Sequence, residues 1–213
     1  MDIVQLIIGL PVLLFSAILH EIAHGYVAER LGDPTARLSG RLTLDPRKHI
    51  DPFMSIILPS LLLLSGSPVI FGGAKPVPID EFNLKEGRKD VAIVALAGPL
   101  TNVLIAISAA LILKALIFIH IGGIFFTIAD VLLTIIFTYN LFLAIFNLLP
   151  IPPLDGSKIF SLLLPRREAD AYLSIGSIGI FILLILLSFP IGGFSLQQFL
   201  YQLFISARSI MGM

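Results

Sequence analysis

An apolar run from about Ile3 to Leu31 is interrupted by His20-Glu21-Ile22-Ala23-His24, and that combination limits the chain more than any other stretch of it. The length suits a membrane span, closed by Glu29, Arg30 and the helix breakers Gly32 and Pro34. Two imidazoles and a carboxylate at membrane depth are costly, and such groups mark functional sites. On an α-helix, residues four apart lie roughly 40° apart around the axis, so His20 and His24 share a face and can both ligate one metal ion. Glu21 stands beside them, where a general base for a metal-activated water belongs.

Composition extends the membrane reading to the whole chain. Of 213 residues 57% are hydrophobic and 13% charged, against about 25% charged in an ordinary soluble domain; mean hydropathy is +1.00. The expected fold is an all-α polytopic membrane protein, a bundle of about 4–6 transmembrane helices with a re-entrant or extended segment near residues 66–80. It reads as a single integral membrane domain over residues 1–213, with a catalytic core of about 3–160 and C-terminal helices over about 165–211. Fourteen Lys+Arg balance fourteen Asp+Glu, which gives no reason to expect nucleic acid as a partner. The absence of Cys leaves His and carboxylate as the strong metal ligands available. The Met1-Asp2 start carries no basic leader, so the first run is expected to be retained as a helix.

Four further apolar stretches follow. Pro52 to Leu64 contains Pro59 and is short for a span, so it is expected to re-enter or tilt. The stretch Phe71 to Ile79 reads as extended chain; Pro76 and Pro78 put both missing N–H groups on one edge and leave the other edge free to pair. A third run, Val91 to about Ile119, contains Gly98-Pro99 and Asn102; a fourth, Ile124 to Leu149, contains Asp130, Asn140 and Asn147; a fifth covers Ala171 to Phe189. Ser195 to about Ile210 mixes apolar residues with Gln and Arg, as an interfacial helix or a weak last span does.

Basic residues set the orientation. Nine of the fourteen Lys+Arg lie between Arg30 and Lys89, and Lys158, Arg166 and Arg167 raise the total on the expected cytoplasmic side to twelve. The protein is expected in the cell membrane as a multi-pass protein, with His20 and His24 about 10–16 Å above the cytoplasmic end of the first helix.

A catalytic zinc takes a third protein ligand, and Asp155 is the candidate. It follows Pro150, Pro152 and Pro153 where the fourth run stops, and irregular backbone at membrane depth is tolerated only where it is buried in protein or lines a cavity. One zinc ion on His20, His24 and Asp155 would activate water, with Glu21 exchanging the proton. Asn147, and with it Asn102, are candidates to donate to a developing oxyanion or to hold substrate. Asn140 is grouped with Asn102 as an expected substrate contact, along with Ala74, Lys75 and Val77 of the extended segment, whose free edge would pair with an unwound substrate.

Both signatures resemble the site-2 protease family of intramembrane zinc metalloproteases: His20-Glu21-Ile22-Ala23-His24, and Asn147-Leu148-Leu149-Pro150 through Asp155-Gly156. Gly98-Pro99 with Asn102, the loop Gly40 to Pro46 and the stretch Phe71 to Pro78 are also similar to its compact form lacking PDZ and CBS domains. The resemblance implies that Asp155 is the third zinc ligand and that the partners are the lipid bilayer and a transmembrane protein substrate. Two other classes of protein also place such groups in membrane helices. A metal-ion transporter needs a polar path, which the far half of the first run does not offer, and a catalytically silent membrane binding protein would lack a catalytic group, whereas Glu21 is present. His49 with Asp51 is read as loop capping or an ion pair, and His120 and Asp130 as far-side structural groups.

Overall fold

The computed structural model describes residues 3–52, 57, 61, 74–176 and 178–213. Helix α1 runs Ile3–Leu31 and continues through Pro11; a single turn, α2, covers Thr35–Leu38. Helix α3 is Arg88–Phe118 and α4 is Gly123–Asn147. The short α5, Asp155–Phe160, is followed by α6, Arg166–Leu173, α7, Ile178–Ser188, and α8, Leu196–Ile210. Among the described residues there is no β-strand, and the chain is a polytopic helical membrane protein.

Three helices, Ile7–Leu31, Arg88–Phe118 and Gly123–Asn147, are long and apolar enough to cross a bilayer. The fifth apolar run does not form one helix. Gly176 takes φ 43°, a left-handed value that glycine adopts at little cost, and the chain turns by 73° between α6 and α7. Counting that bent pair as one span gives four among the described residues, the low end of the expected range. The apolar patch from Pro52 to Leu64 and residues 66–73 fall almost wholly outside the described residues. Residues 74–79 form neither helix nor strand.

The bundle centres on α3, which packs against both α1 and α4 and carries α5 on its flank. Small side chains allow that closeness: Ala106, Ala109 and Ala110 of α3 pack against Phe137 and Leu141 of α4. Outward-facing Leu10, Leu111, Ile124 and Phe181 are 59–67% exposed, an apolar exterior that lipid accommodates and water does not. Helix α8 lies against α4 and α7 through Leu196 and Leu200, and its Ser195 cap accepts from the Gln198 N–H at 3.3 Å. Beyond α1, the Asp33 carboxylate accepts from the Thr35 N–H (3.1 Å), the Asp80 N–H (2.8 Å) and the Asn83 amide (3.0 Å), and so ties the helix end to residues 80–83.

Candidate metal centre

Helical periodicity places His20 and His24 one turn apart on the face of α1 that meets α3, and both are 6% exposed. Asp155 is the first residue of α5, where the chain leaves the Leu148 to Leu154 turn, and is 8% exposed. Although 135 residues separate it from His20, its Oδ2 lies 3.1 Å from His20 Nε2 and 3.2 Å from His24 Nε2. The two Nε2 atoms are 3.0 Å apart. Among the described residues, no other three His, Asp or Glu side chains converge in this way.

Hydrogen bonds at the far side of each ring show what kind of site this is. His24 Nδ1 lies 2.7 Å from the Val94 carbonyl, which can only accept, so Nδ1 carries a hydrogen, and in the neutral ring that leaves Nε2 bare. His20 Nδ1 lies 2.5 Å from Asn102 Oδ1, with the same consequence. With both rings neutral, two ring nitrogens and a carboxylate oxygen face one another, a set that could hold a metal ion. Ligands of tetrahedral zinc stand roughly 3.3 Å apart, given bonds of about 2.0–2.1 Å. The separations fit that ion, and nitrogen with carboxylate oxygen is a donor set zinc favours.

Gly98 makes this closeness achievable. A Cβ at that position would lie 2.6 Å from His20 Nε2 and closer still to His24 Nε2, in the space between the ligands. Apart from the family resemblance, the sequence signalled only a Gly-Pro pair, which reads locally as punctuation. Gly156 has a related role: a Cβ there would strike the carbonyls of Leu148 and Leu149, so glycine lets α5 fold back under the end of α4.

A cavity of about 170 Å³ opens onto the three ligands, and Glu21, Val77, Asn147 and Lys158 contribute to its walls. Glu21 Oε2 accepts from the Val77 N–H at 2.8 Å. Asn147 Nδ2 donates to the Leu143 carbonyl of its own helix at 3.0 Å. Lys158 Nζ stands 3.8 Å from Asp155 Oδ1, the carboxylate oxygen turned away from the histidines. In the sequence Lys158 counted only towards orientation.

The remaining expected site residues lie elsewhere. Asn102 and Asn140 are fully buried and do not line the cavity; Asn102 bonds His20, and Asn140 bonds Asn102. Ala74 and Lys75 also lie outside its walls. The edge expected to be free is filled: the Lys75 N–H donates to the His49 carbonyl at 2.7 Å and the Val77 N–H to Glu21. The Lys75 and Pro76 carbonyls both accept from Arg41 Nη2, at 2.7 and 3.2 Å. His49 is fully buried and bonds the Thr43 carbonyl through Nε2 at 2.8 Å, beneath this segment.

A buried His-His-carboxylate centre inside a bundle of membrane-spanning helices defines an intramembrane metal protein. The profile of peptidase family M50, the site-2 protease family, matches residues 8–127 and 113–188, and the chain belongs to that family. It is 37% identical over 193 residues to "Putative zinc metalloprotease YwhC" of Bacillus subtilis, covering 88% of this chain and 83% of that protein. It is 35% identical over 145 residues to Rip2 of Mycobacterium tuberculosis, covering 67% of this chain and 52% of Rip2, and 40% identical over 99 residues to MJ0611 of Methanocaldococcus jannaschii, covering 46% of each; both bear the same zinc metalloprotease designation. The chain thus spans about half the length of these last two relatives. No solved structure matches it.

Proposed function

We propose that the protein is an intramembrane zinc endopeptidase that cuts peptide bonds in or beside transmembrane segments of other membrane proteins. The observation that carries this reading is the convergence of three buried acceptor atoms, 3.0–3.2 Å apart, with Glu21 on the cavity they share. His20, His24 and Asp155 would hold the ion. When bound, zinc supplies Lewis acidity and brings the pKa of a water to about 7.

The chain's own groups supply the rest. The Val77 N–H holds one oxygen of Glu21, leaving the other to take a proton from the attacking water and return it to the departing amine. The C–O bond forms first, moving charge onto the carbonyl oxygen, and the C–N bond then breaks as the amine takes the proton from Glu21, so the proton balance closes through that single carboxylate. Asn147 and Lys158 bring an amide and a cation to the same cavity, where charge develops on the carbonyl oxygen of the scissile bond. The surrounding apolar helices limit access of bulk water, which strengthens each of these interactions. The distribution of Lys and Arg supports placing the site nearer the cytoplasmic face.

The test compares wild type with Glu21→Gln for zinc content and for cleavage of a panel of transmembrane segments in bilayers. We expect equal zinc and a loss of cleavage of at least about 100-fold, the scale of general-base catalysis. Undiminished cleavage by Glu21→Gln, or a wild-type protein that neither binds zinc nor cuts any segment, overturns the reading.

A further inference from the structure

Behind His20, on the side away from the cavity, buried polar side chains from three helices form a line from Ser16 through Asn140 and Asn102 to the ring. Its polarity can be worked out from one end. Asn140 Nδ2 lies 2.9 Å from the Ile136 carbonyl, and because a carbonyl only accepts, that end of the amide is the NH₂ group. The same nitrogen donates to Ser16 Oγ at 2.9 Å. Asn140 Oδ1 is thereby an acceptor, and the group 2.9 Å from it is the Asn102 amide nitrogen. Asn102 must then turn its oxygen to His20 Nδ1, 2.5 Å away, which requires a hydrogen on Nδ1 and, in the neutral ring, leaves Nε2 bare.

Reversing either amide would reverse the result. With an NH₂ group facing Nδ1, the ring would accept there and carry its hydrogen on Nε2, and it could not offer a lone pair towards Asp155 and His24. His24 has no such exposure to error, because a main-chain carbonyl, that of Val94, fixes its tautomer directly. For His20 the same task passes through two side-chain amides, anchored on the backbone of α4.

We propose that Asn140 and Asn102 are positioning residues that lock His20 in its Nδ1–H tautomer and so keep Nε2 ready for the metal ion. The proposal rests on the reading of His20 as a zinc ligand. It gives the two amides a role at the back of the site, and it makes a residue that touches neither ligand nor cavity, Asn140, a determinant of metal affinity.

The experiment uses the full chain in nanodiscs, with zinc affinity measured by chelator competition and histidine tautomers by ¹⁵N NMR of the zinc-stripped protein. Wild type is expected to show His20 as the Nδ1–H form; an Nε2–H signal there overturns the proposal whether or not any variant folds. Asn102→Leu should weaken zinc binding about 10–100-fold, and Asn140→Leu about 10-fold with a mixture of His20 tautomers. Asn102→Asp, of the same size, keeps an acceptor facing Nδ1 but gives up the donor to Asn140 Oδ1; it should bind zinc more tightly than Asn102→Leu with His20 still in the Nδ1–H form, and a His20 Nδ1 without hydrogen in this variant would contradict the proposal. If His20→Ala loses zinc while both Leu variants bind it as wild type does, the positioning role fails and the ligand reading stands. If His20→Ala binds zinc normally, the ligand reading itself fails.

Discussion

The backbone N–H of Val77 donates to Glu21 Oε2 at 2.8 Å, so the carboxylate beside the histidine pair is held by a segment 56 residues further along the chain. That segment is itself clamped: Arg41 Nη2 donates to the two carbonyls just before Val77, and the Lys75 N–H bonds His49. That stretch thus orients the Glu21 carboxylate. Its donors are spent within the protein, which is why it offers no open edge for a second strand at residues 75–77.

Removing that one donor should separate chemistry from metal binding. Val77→Pro deletes the N–H and is expected to lower kcat on the order of 10-fold, a fraction of what a general base contributes, with zinc content unchanged. Val77→Ala keeps the N–H and should retain most of the activity. Equal kcat for wild type and Val77→Pro would show that Glu21 needs no such support.

At Gly98 a single methyl group should be enough to empty the site. The Cβ of Gly98→Ala would lie 2.6 Å from His20 Nε2, in the space that the ligands share. Metal analysis of the purified variant should find less than about a tenth of the wild-type zinc, a loss on the scale that displacing one ligand produces, with helical circular dichroism unchanged. Full zinc occupancy would mean that α3 can back away from α1.

Asp33 should govern stability and its pH dependence. Burial pushes its carboxyl up, but hydrogen bonds from Thr35, Asn83 and Asp80 outweigh that and hold it below the ordinary carboxylate range. A group whose pKa is lowered by folding adds stability above its unfolded value and loses it as pH falls through the folded one. Asp33→Asn, which sets an NH₂ group against incoming donors, should cost about 1–3 kcal/mol at pH 7, read from denaturation midpoints. The gap between variant and wild type should narrow below about pH 4; a gap independent of pH would contradict the role given to the charge.

Much of this was legible in the sequence, for reasons that differ between residues. Helices α1, α3 and α4 announce themselves because a span must be apolar over its full length, and His20 and His24 share a face because the helical period requires it. Asp155 stood out through the prolines before it. What could not be read depends on contacts between distant segments. Gly98 and an ordinary turn glycine look alike until α1 is packed against α3. Asn102 and Asn140 lie in apolar helices, where an amide can serve a substrate or a neighbour equally well; only the 82-residue reach from His20 to Asn102 decides it. The free edge expected beside Pro76 and Pro78 followed from local geometry alone, and Glu21 fills it from another helix. The fifth apolar run looked continuous because Gly176 carries no hydropathy signal strong enough to divide it.

His20, His24 and Asp155 are expected to hold one zinc ion between them. X-ray absorption at the zinc edge tests it most directly, on purified wild type and Asp155→Ala at matched zinc loading. Wild type should show two imidazoles with a carboxylate oxygen at about 2.0–2.2 Å, and Asp155→Ala should keep the imidazole scattering while losing that oxygen. Identical spectra from the two proteins, or a wild-type spectrum without imidazole scattering, would contradict the account.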